Sequence, residues 1–359
     1  MNKIKVGIMG CTGLVGQQFV RMLDAHPSFE VVMLTASINS AGKRYGEIAD
    51  WIVSEHIPAY AADMMVKETS LKAFAESEAK VIFSALPAPV ARDIEKELVK
   101  EGYQVFSNAS AYRMDPEVPV IIPEVNPEHL DLVKVQDLGN GGFIVTNSNC
   151  STAGMVMLLK PLMKFGINSV TVTTYQALSG AGRRGVASLA ILGNVIPHIK
   201  NEEEKMETET LKILGILHKG KIKNADLMVN ASCCRVPVRD GHLESVVIEL
   251  HENNELETIT DALRSFKSIP QVLKLPTAPE SPLIVRTEDD RPQPALDAYN
   301  GTPERARGMA VTVGRIRKKA NKFNFFLLSH NTIRGAAGTC ILNAEYAYAR
   351  KYIKPVTGL

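Results

Sequence analysis

The chain has 359 residues, of which 22% are charged and 45% hydrophobic, and its formal net charge is +2. That length suits two domains with separate cores, and the composition is that of an ordinary soluble globular protein. The near-neutral balance gives no footing for nucleic acid or an anionic membrane surface as partner, and no apolar run reaches membrane-spanning length.

The first residues, Met1-Asn2-Lys3-Ile4-Lys5, run straight into a strand with no secretory h-region. Cysteines stand at Cys11, Cys150, Cys233, Cys234 and Cys340. An odd count with two adjacent residues does not read as a disulfide framework. A reducing, cytoplasmic setting is therefore expected.

Residues 4–9 alternate and then meet Gly10-Cys11-Thr12-Gly13-Leu14-Val15-Gly16, after which Val15, Phe19, Met22 and Leu23 recur at helical spacing. Strand, glycine loop and helix open a dinucleotide-binding unit. Its glycines let the backbone turn tightly and approach a pyrophosphate seated on a helix N-terminus. The second strand, Phe29–Leu34, is followed by Ser37, Asn39, Ser40, Lys43 and Arg44, with no acidic residue to bind ribose hydroxyls. Hydroxyls beside cations suit a 2′-phosphate, which favours NADP; otherwise Lys43 and Arg44 form a solvated loop. A strand at 80–87 ends at small residues that include Ser84 and Leu86, where ligands meet an open α/β sheet. A helix over 91–101, a strand Tyr103–Phe106 and a polar loop ending in Arg113 follow. Arg113 is either a surface charge or an anion ligand at a strand's carboxyl end. Strands at Val120–Ile122 and 143–146 complete this half.

The next stretch is Asn147-Ser148-Asn149-Cys150-Ser151-Thr152, between an apolar strand and an apolar helix. Cys150 thus falls in the first turn of a helix, where unpaired N–H groups and a partial positive charge favour a thiolate. A thiolate among N–H donors is a nucleophile with an oxyanion site beside it. A small buried cysteine is the ordinary alternative, but the polar residues before it make a poor core.

Beyond the helix, alternating strands at Ser169–Gln176, Leu227–Val238 and His242–His251 suggest an antiparallel sheet with one covered face. Asp240-Gly241 marks a hairpin between the last two. Helices are expected over 184–196, 203–217 and 255–266, the second with Leu211, Leu214 and Leu217 on one side. Prolines make 267–299 irregular, a surface loop or subunit contact. Strands at Val311–Ile316 and Phe323–Ser329 and a helix over 336–350 end the chain. Gln176 precedes the small-residue loop Ala177-Leu178-Ser179-Gly180-Ala181-Gly182, which a flat nicotinamide ring could approach. His242, neutral near pH 7, could take a proton from a thiol or hemithioacetal, although seven other histidines compete on composition. His330 is the hardest of these to dismiss. Glu202 and Lys205, at i and i+3, read by spacing as an exposed helix pair. No cysteine or histidine cluster has metal-ligand spacing.

Taken together, the Gly10–Gly16 loop, Ser148–Thr152, Gln176 with Ser179–Gly182, Glu202 to Lys205, Arg235 to His242 and Asn331 to Gly335 resemble the aspartate-semialdehyde dehydrogenase family, in its archaeal and fungal branch, over nearly the whole length. The resemblance implies an α/β fold. A Rossmann domain would span 1–149, completed by a C-terminal helix over 331–359. An α+β catalytic and dimerisation domain with a mostly antiparallel sheet would span 150–330. It implies reversible NADPH-dependent reduction of L-aspartyl 4-phosphate to L-aspartate 4-semialdehyde, on the route to lysine, threonine and methionine, in a homodimer or homotetramer. Family roles imply Cys150 as nucleophile beside Asn149, His242 as acid/base and Gln176 orienting the acyl group. Arg235 would bind the substrate carboxylate, Glu202 its ammonium, and Arg113 and Lys205 its phosphate. The cofactor would meet Gly10, Thr12, Gly13, Leu14, Val15, Gly16, Ser37, Ser40, Lys43, Ser84, Leu86, Ser179, Gly180 and Asn331. Competing expectations are a malonyl-CoA reductase of the same fold and a non-catalytic NADP sensor. The Gly-Cys-Tyr-Pro motif usual in N-acetyl-glutamyl-phosphate reductase is absent.

Overall fold

In a computed structural model that describes residues 3–136 and 140–353, the chain divides into two compact units. The first is drawn from 1–121, 128–147 and 337–359, the second from 122–127 and 148–336.

The first unit is built on short apolar strands: β1 (Ile4–Met9), β2 (Phe29–Ala36), β3 (Val66–Glu68), β4 (Val81–Ser84), β5 (Gln104–Ser107) and β6 (Phe143–Thr146). They form one sheet in the order β3-β2-β1-β4-β5-β6, parallel throughout. Their near-continuous burial is what a sheet covered on both faces requires. All carboxyl ends share one edge, so the loops after Met9, Ala36, Ser84 and Ser107 gather there. Helix α1 (Leu14–Met22) buries Leu14, Phe19, Val20 and Met22. Helix α2 begins at Ala88 rather than 91 and runs to Lys100, because Pro89 is tolerated in a first turn. Val120–Ile122 is not a strand: it makes one parallel bridge, Val120 to Thr146. Pro119 and Pro123 bracket it, and neither has an N–H to extend a ladder.

In the second unit α3 (Cys150–Leu159) is buried along nearly its whole length. The strands are β7 (Ile167–Gln176), a two-stranded hairpin β8 (Ile216–His218) and β9 (Lys221–Lys223), β10 (Met228–Arg235), β11 (His242–Leu250), β12 (Leu283–Val285), β13 (Val311–Lys319) and β14 (Lys322–Ser329). The main sheet runs β10-β7-β11-β14-β13-β12. Pairings along β7-β11-β14-β13 are antiparallel, whereas β10 with β7 and β12 with β13 are parallel. The expected Asp240-Gly241 hairpin is therefore absent. Gly241 does take φ +93°, but β7 lies between β10 and β11, and the connection pairs with the loop after β7 through Leu178 N–H to Val238 O and Ser179 N–H to Arg239 O.

Two helix expectations also change. Only Ser188–Ile191 is helical in 184–196, where Gly185 and Gly193 take positive φ. Helix α4 (Glu202–Ile213) stops short of 217, and Leu217 belongs to the β8–β9 hairpin, turned by Lys219 and Gly220 at positive φ. Helix α5 (Leu256–Arg264) follows, and the proline-rich stretch contributes edge strand β12. A buried ion pair stands at the end of this unit: both guanidinium nitrogens of Arg334 donate to Glu124, at 2.7 and 3.1 Å, and its Nε donates to Met309 O.

Helix α6 (Gly338–Ala349) returns to the first unit; residues 331–336 before it group with the second. Its Cys340 thiol reaches Phe106 O, its Asn343 donates to Ile121 O, and its Glu345 meets His26 Nε2 at 2.8 Å. Among the described residues no helix is long and apolar enough to cross a membrane.

Glu95 of α2 is fully buried against β5, accepting from Ser107 Oγ at 2.7 Å. Burial raises its carboxyl pKa from 4.5 to about 7, against the smaller opposing effect of the Ser107 hydrogen bond. Because the folded state holds this proton more tightly than the unfolded chain, the stability it lends is present below pH 4.5 and is lost as pH rises through about 7. The full loss is roughly 3 kcal/mol. Glu95→Gln should therefore gain on the wild type as pH rises from acid to mildly alkaline, read as the difference in urea midpoints. Parallel pH profiles for the two proteins would refute it.

Candidate active site

The expected residues fall into two groups, one in each unit. In the first unit, Gly10 takes φ +74°, and the amides of Gly10 and Cys11 both donate to Thr35 O. The first intrahelical bond of α1 runs from Gln17 N–H to Gly13 O, so the amides of Leu14, Val15 and Gly16 precede it at the helix start. A Cβ on Gly16 would stand 2.1 Å from Gly10 O, which leaves glycine as the residue that fits. Leu86 lies beside Gly10, and Ala85 N–H continues the ladder to Met9 O, so Ser84 and Leu86 flank the glycine turn. Ser37 and Lys43 are exposed after β2 and Ser40 is half-exposed. Lys43 donates to Asn39 O, whereas Arg44 pairs with Asp63 at 2.6 Å. Arg113 is buried in the loop after β5, donating to Asn108 O at 2.9 Å.

In the second unit Asn149 caps α3: its Oδ1 accepts from Ser151 N–H at 2.9 Å and Thr152 N–H at 3.1 Å. Two of the first-turn amides expected to serve an oxyanion are thus already used. The hydrogen-bonding nitrogen at Cys150 Sγ is instead His242 Nε2, at 3.3 Å. The other ring nitrogen, Nδ1, accepts from Ala177 N–H at 3.0 Å. His242 is wholly buried, and its pKa is held well below the usual value by burial first, then by Arg235 and His330. The ring is therefore neutral near pH 7.

Register explains the gathering. Arg235, ending β10, is the partner of Gln176, ending the parallel strand β7, and antiparallel β11 starts at the same edge with His242. Arg235 Nη1 donates to Ala177 O at 2.7 Å. Gln176 Nε2 and Asn149 Nδ2 both donate to Glu202 Oε1, at 3.2 and 2.7 Å. Glu202 is thus buried, unlike the exposed pair that its spacing suggested, with Lys205 Nζ 3.7 Å from its Oε2. A Cβ on Gly180 would stand 2.7 Å from Arg235 and 3.1 Å from the His242 ring, so this loop position lies flat on both side chains. Asn331 ties the loops together, donating to Ser179 Oγ at 2.8 Å and accepting from Gly241 N–H at 2.9 Å. His330 is buried edge-on to Tyr299.

Three contributors were missed from sequence. Glu209 accepts the Asn149 backbone N–H at 2.5 Å; its i+7 spacing from Glu202, on one helix face, could have revealed it. Gly335 lies against Cys150, where its Cβ would meet that of Cys150 at 2.7 Å. The Ala177 amide has no side-chain signature. Among the described residues no group of three acidic, histidine or cysteine side chains could hold a metal ion.

Two family profiles match the chain: semialdehyde dehydrogenase, NAD binding domain, over residues 5–133, and semialdehyde dehydrogenase, dimerisation domain, over 159–334. An aspartate-semialdehyde dehydrogenase from Methanothermobacter thermautotrophicus is 51% identical, across 95% of this chain and 98% of its own. One from Candida albicans is 43% identical, across 98% and 100%. Among solved structures, the Candida albicans aspartate-semialdehyde dehydrogenase with NADP superposes with a TM-score of 0.87 at 41% identity, covering 98% of this chain and all of the other. Aspartate-semialdehyde dehydrogenase II from Vibrio cholerae gives 0.77 at 27% identity, with 98% of this chain and 100% of that one covered. With its Cys150–His242 pair at the edge where β7, β10 and β11 meet, the chain belongs to the aspartate-semialdehyde dehydrogenase family.

Proposed function

We propose that this chain catalyses the reversible NADPH-dependent reduction of L-aspartyl 4-phosphate to L-aspartate 4-semialdehyde, with release of phosphate, in the biosynthesis of lysine, threonine and methionine. The observation that carries the reading is the 3.3 Å contact of Cys150 with His242 in a chain of this family. The coenzyme A alternative has no support from the relatives described above.

The first unit fits a dinucleotide. The Gly10–Gly16 turn has no room for a side chain at Gly16 and offers the first-turn amides of α1 to a pyrophosphate. Ser37, Ser40 and Lys43, with no acid after β2, suit a 2′-phosphate. Thr12, Gly13, Leu14, Val15, Ser84 and Leu86 would line the rest of that cradle, with Ser179, Gly180 and Asn331 on the nicotinamide side. When bound, NADPH supplies the hydride for the reduction.

The chain's own residues do the remainder. Cys150 sulfur forms a bond to the acyl carbon as the carbon–oxygen bond to phosphate breaks, leaving a thioester. After reduction the carbon–sulfur bond breaks, releasing the aldehyde and restoring the thiolate. His242 Nε2–H faces the reacting atoms, and Gln176 orients the acyl group. Arg235 takes the substrate carboxylate, Glu202 its ammonium, and Arg113 and Lys205 the phosphate, a charge complement suited to this substrate. The second unit matches a dimerisation domain, which supports a homo-oligomer, dimer or tetramer. Five free cysteines suit a reducing cytoplasm.

Cys150→Ser is nearly isosteric and should keep the melting temperature while turnover falls by about three orders of magnitude or more. Retained turnover in a folded Cys150→Ser protein would end the nucleophile assignment.

Arg113→Leu should raise KM for phosphate in the phosphorylating direction by roughly ten- to hundredfold, the loss of one charge-assisted hydrogen bond. Arg235→Leu should instead raise KM for the semialdehyde. Steady-state kinetics with each substrate varied in turn would detect the opposite pattern.

Catalytic efficiency should be higher with NADP than with NAD, and Lys43→Glu should reverse part of that preference. Equal efficiency with both cofactors would rule out the 2′-phosphate role of the loop after β2.

A further inference from the structure

Arg113, the proposed phosphate ligand, grips only as well as its loop is held. Residues 107–113 leave the carboxyl end of β5 and are fastened to α2 at three points. Ser107 Oγ donates to Glu95 Oε1 at 2.7 Å, Arg92 Nη2 donates to Ala111 O at 2.9 Å, and the Tyr112 hydroxyl donates to Arg92 O. Arg92 and Glu95 stand three residues apart, on one face of the helix. Ser107 Oγ also accepts from Ala109 N–H at 3.1 Å, so the Glu95 bond sets the first turn of the loop. On the other side Asn147 Nδ2 donates to Asn108 Oδ1 at 2.8 Å, and Asn108 O takes Arg113 Nη2 at 2.9 Å. The guanidinium is therefore aimed by the carbonyl of the residue between Ser107 and Ala109, the two that the Glu95 bond restrains.

Of the three ties, one titrates near neutral pH. Arg92 stays charged, and burial raises the Tyr112 phenol above its ordinary value. Glu95 is wholly buried, its Oε2 has no hydrogen-bond partner among the described residues, and burial lifts its pKa to about 7. Tyr112 and Cys340 of α6 act on it electrostatically, and both are neutral in this range, pushed up first by burial. Strands β4, β5 and β6 carry no titratable side chain, Lys72 in the helical turn Leu71–Ala75 is exposed, and so are the other charged residues of α2. Among the described residues, none of these groups is a buried cation. An ionised Glu95 would draw the Ser107 hydroxyl more strongly than the acid does. One hydrogen bond does not offset a wholly buried charge, however, and the charge is relieved by reaching water, which requires the bonded loop to move aside.

We propose that Glu95 is a positioning residue for Arg113: as the neutral acid it keeps the Ser107–Arg113 loop seated on α2, and as the carboxylate it lets the loop shift, so that the hold on phosphate weakens. Glu95 does this through Ser107 and Asn108, without touching the substrate. The proposal rests on Arg113 being the phosphate ligand, as proposed above.

The test is steady-state kinetics of the full chain in the phosphorylating direction. KM for phosphate is measured in the wild type and in Glu95→Gln from about pH 6 to 8, one unit either side of the Glu95 midpoint. Phosphate and other groups titrate in this range, and the ratio of the two constants at each pH cancels them. The glutamine imitates the neutral acid throughout. The ratio of wild type to variant should be near one at the acid end and about tenfold at the alkaline end, one decade for the unit above the midpoint. The corresponding ratios for kcat and for the KM of NADP should stay constant. A flat phosphate ratio would overturn the proposal. So would an equal rise in the NADP ratio, since a general loosening of this unit would move both. Ser107→Ala breaks the same tie at every pH, and its KM for phosphate should already be raised roughly three- to tenfold at the acid end. An unchanged constant there would also overturn the proposal. In an Arg113→Leu background, adding Glu95→Gln should change the phosphate profile no further. The two readings fail separately: an unchanged phosphate constant in Arg113→Leu defeats the ligand assignment, whereas an essential Arg113 with a flat Glu95 ratio defeats only the positioning.

Discussion

The site depends on how one short turn is held. Asn149 is bound at three points: its Oδ1 caps α3, its Nδ2 is taken by Glu202, and its backbone N–H is taken by Glu209. Two carboxylates seven residues apart on α4 thus anchor the residue that precedes Cys150. They also remove the conformational freedom that a polar Asn-Ser-Asn segment would otherwise keep. Gly335 closes the other side of the turn, too near to Cys150 for any side chain. In the proposed role of nucleophile, Cys150 needs this restraint, because the benefit of proximity is lost when the attacking atom samples other positions.

From that turn outward, the arrangement is a matter of strand ends. Parallel pairing sets Arg235 level with Gln176, and antiparallel pairing starts β11 at the same edge, so three side chains reach one place from three neighbouring strands. Backbone, rather than side chain, then does the fine adjustment. The Ala177 peptides give an N–H to His242 and take an N–H from Arg235. A one-residue slip of β11 would turn His242 to the opposite face and break the set.

Much of this was legible in the residues. Glycines followed by helical spacing identify the first unit, and polar residues before a thiol mark the capped turn at Cys150. Both signals are local, and local chemistry dictated both. Most of what failed depended on distant partners. Gly241 takes the positive φ that a turn asks of it, but nothing in Asp240-Gly241 says that β7 intervenes between the strands these residues join. Glu202 and Lys205 look like a surface pair until the Asn149 and Gln176 amides, far away in sequence, are brought to them. The helix expected over 184–196 fell to Gly185 and Gly193, whose positive φ is a local signal that the apolar residues between them outweighed. Ala177 could not be singled out at all, since its contribution is an amide that every residue but proline carries.

The first unit is assembled from three separate stretches of chain, with the second unit threaded between them. Its final element, α6, holds His26, Phe106 and Ile121 through Glu345, Cys340 and Asn343. During synthesis the parallel sheet therefore leaves the ribosome without the helix that covers part of it, and waits while the whole second unit is made. In that interval its apolar surface is open to the wrong partners. A nascent chain arrested before Gly338 would hold every residue that surrounds Cys150, yet only an incomplete nucleotide-binding unit.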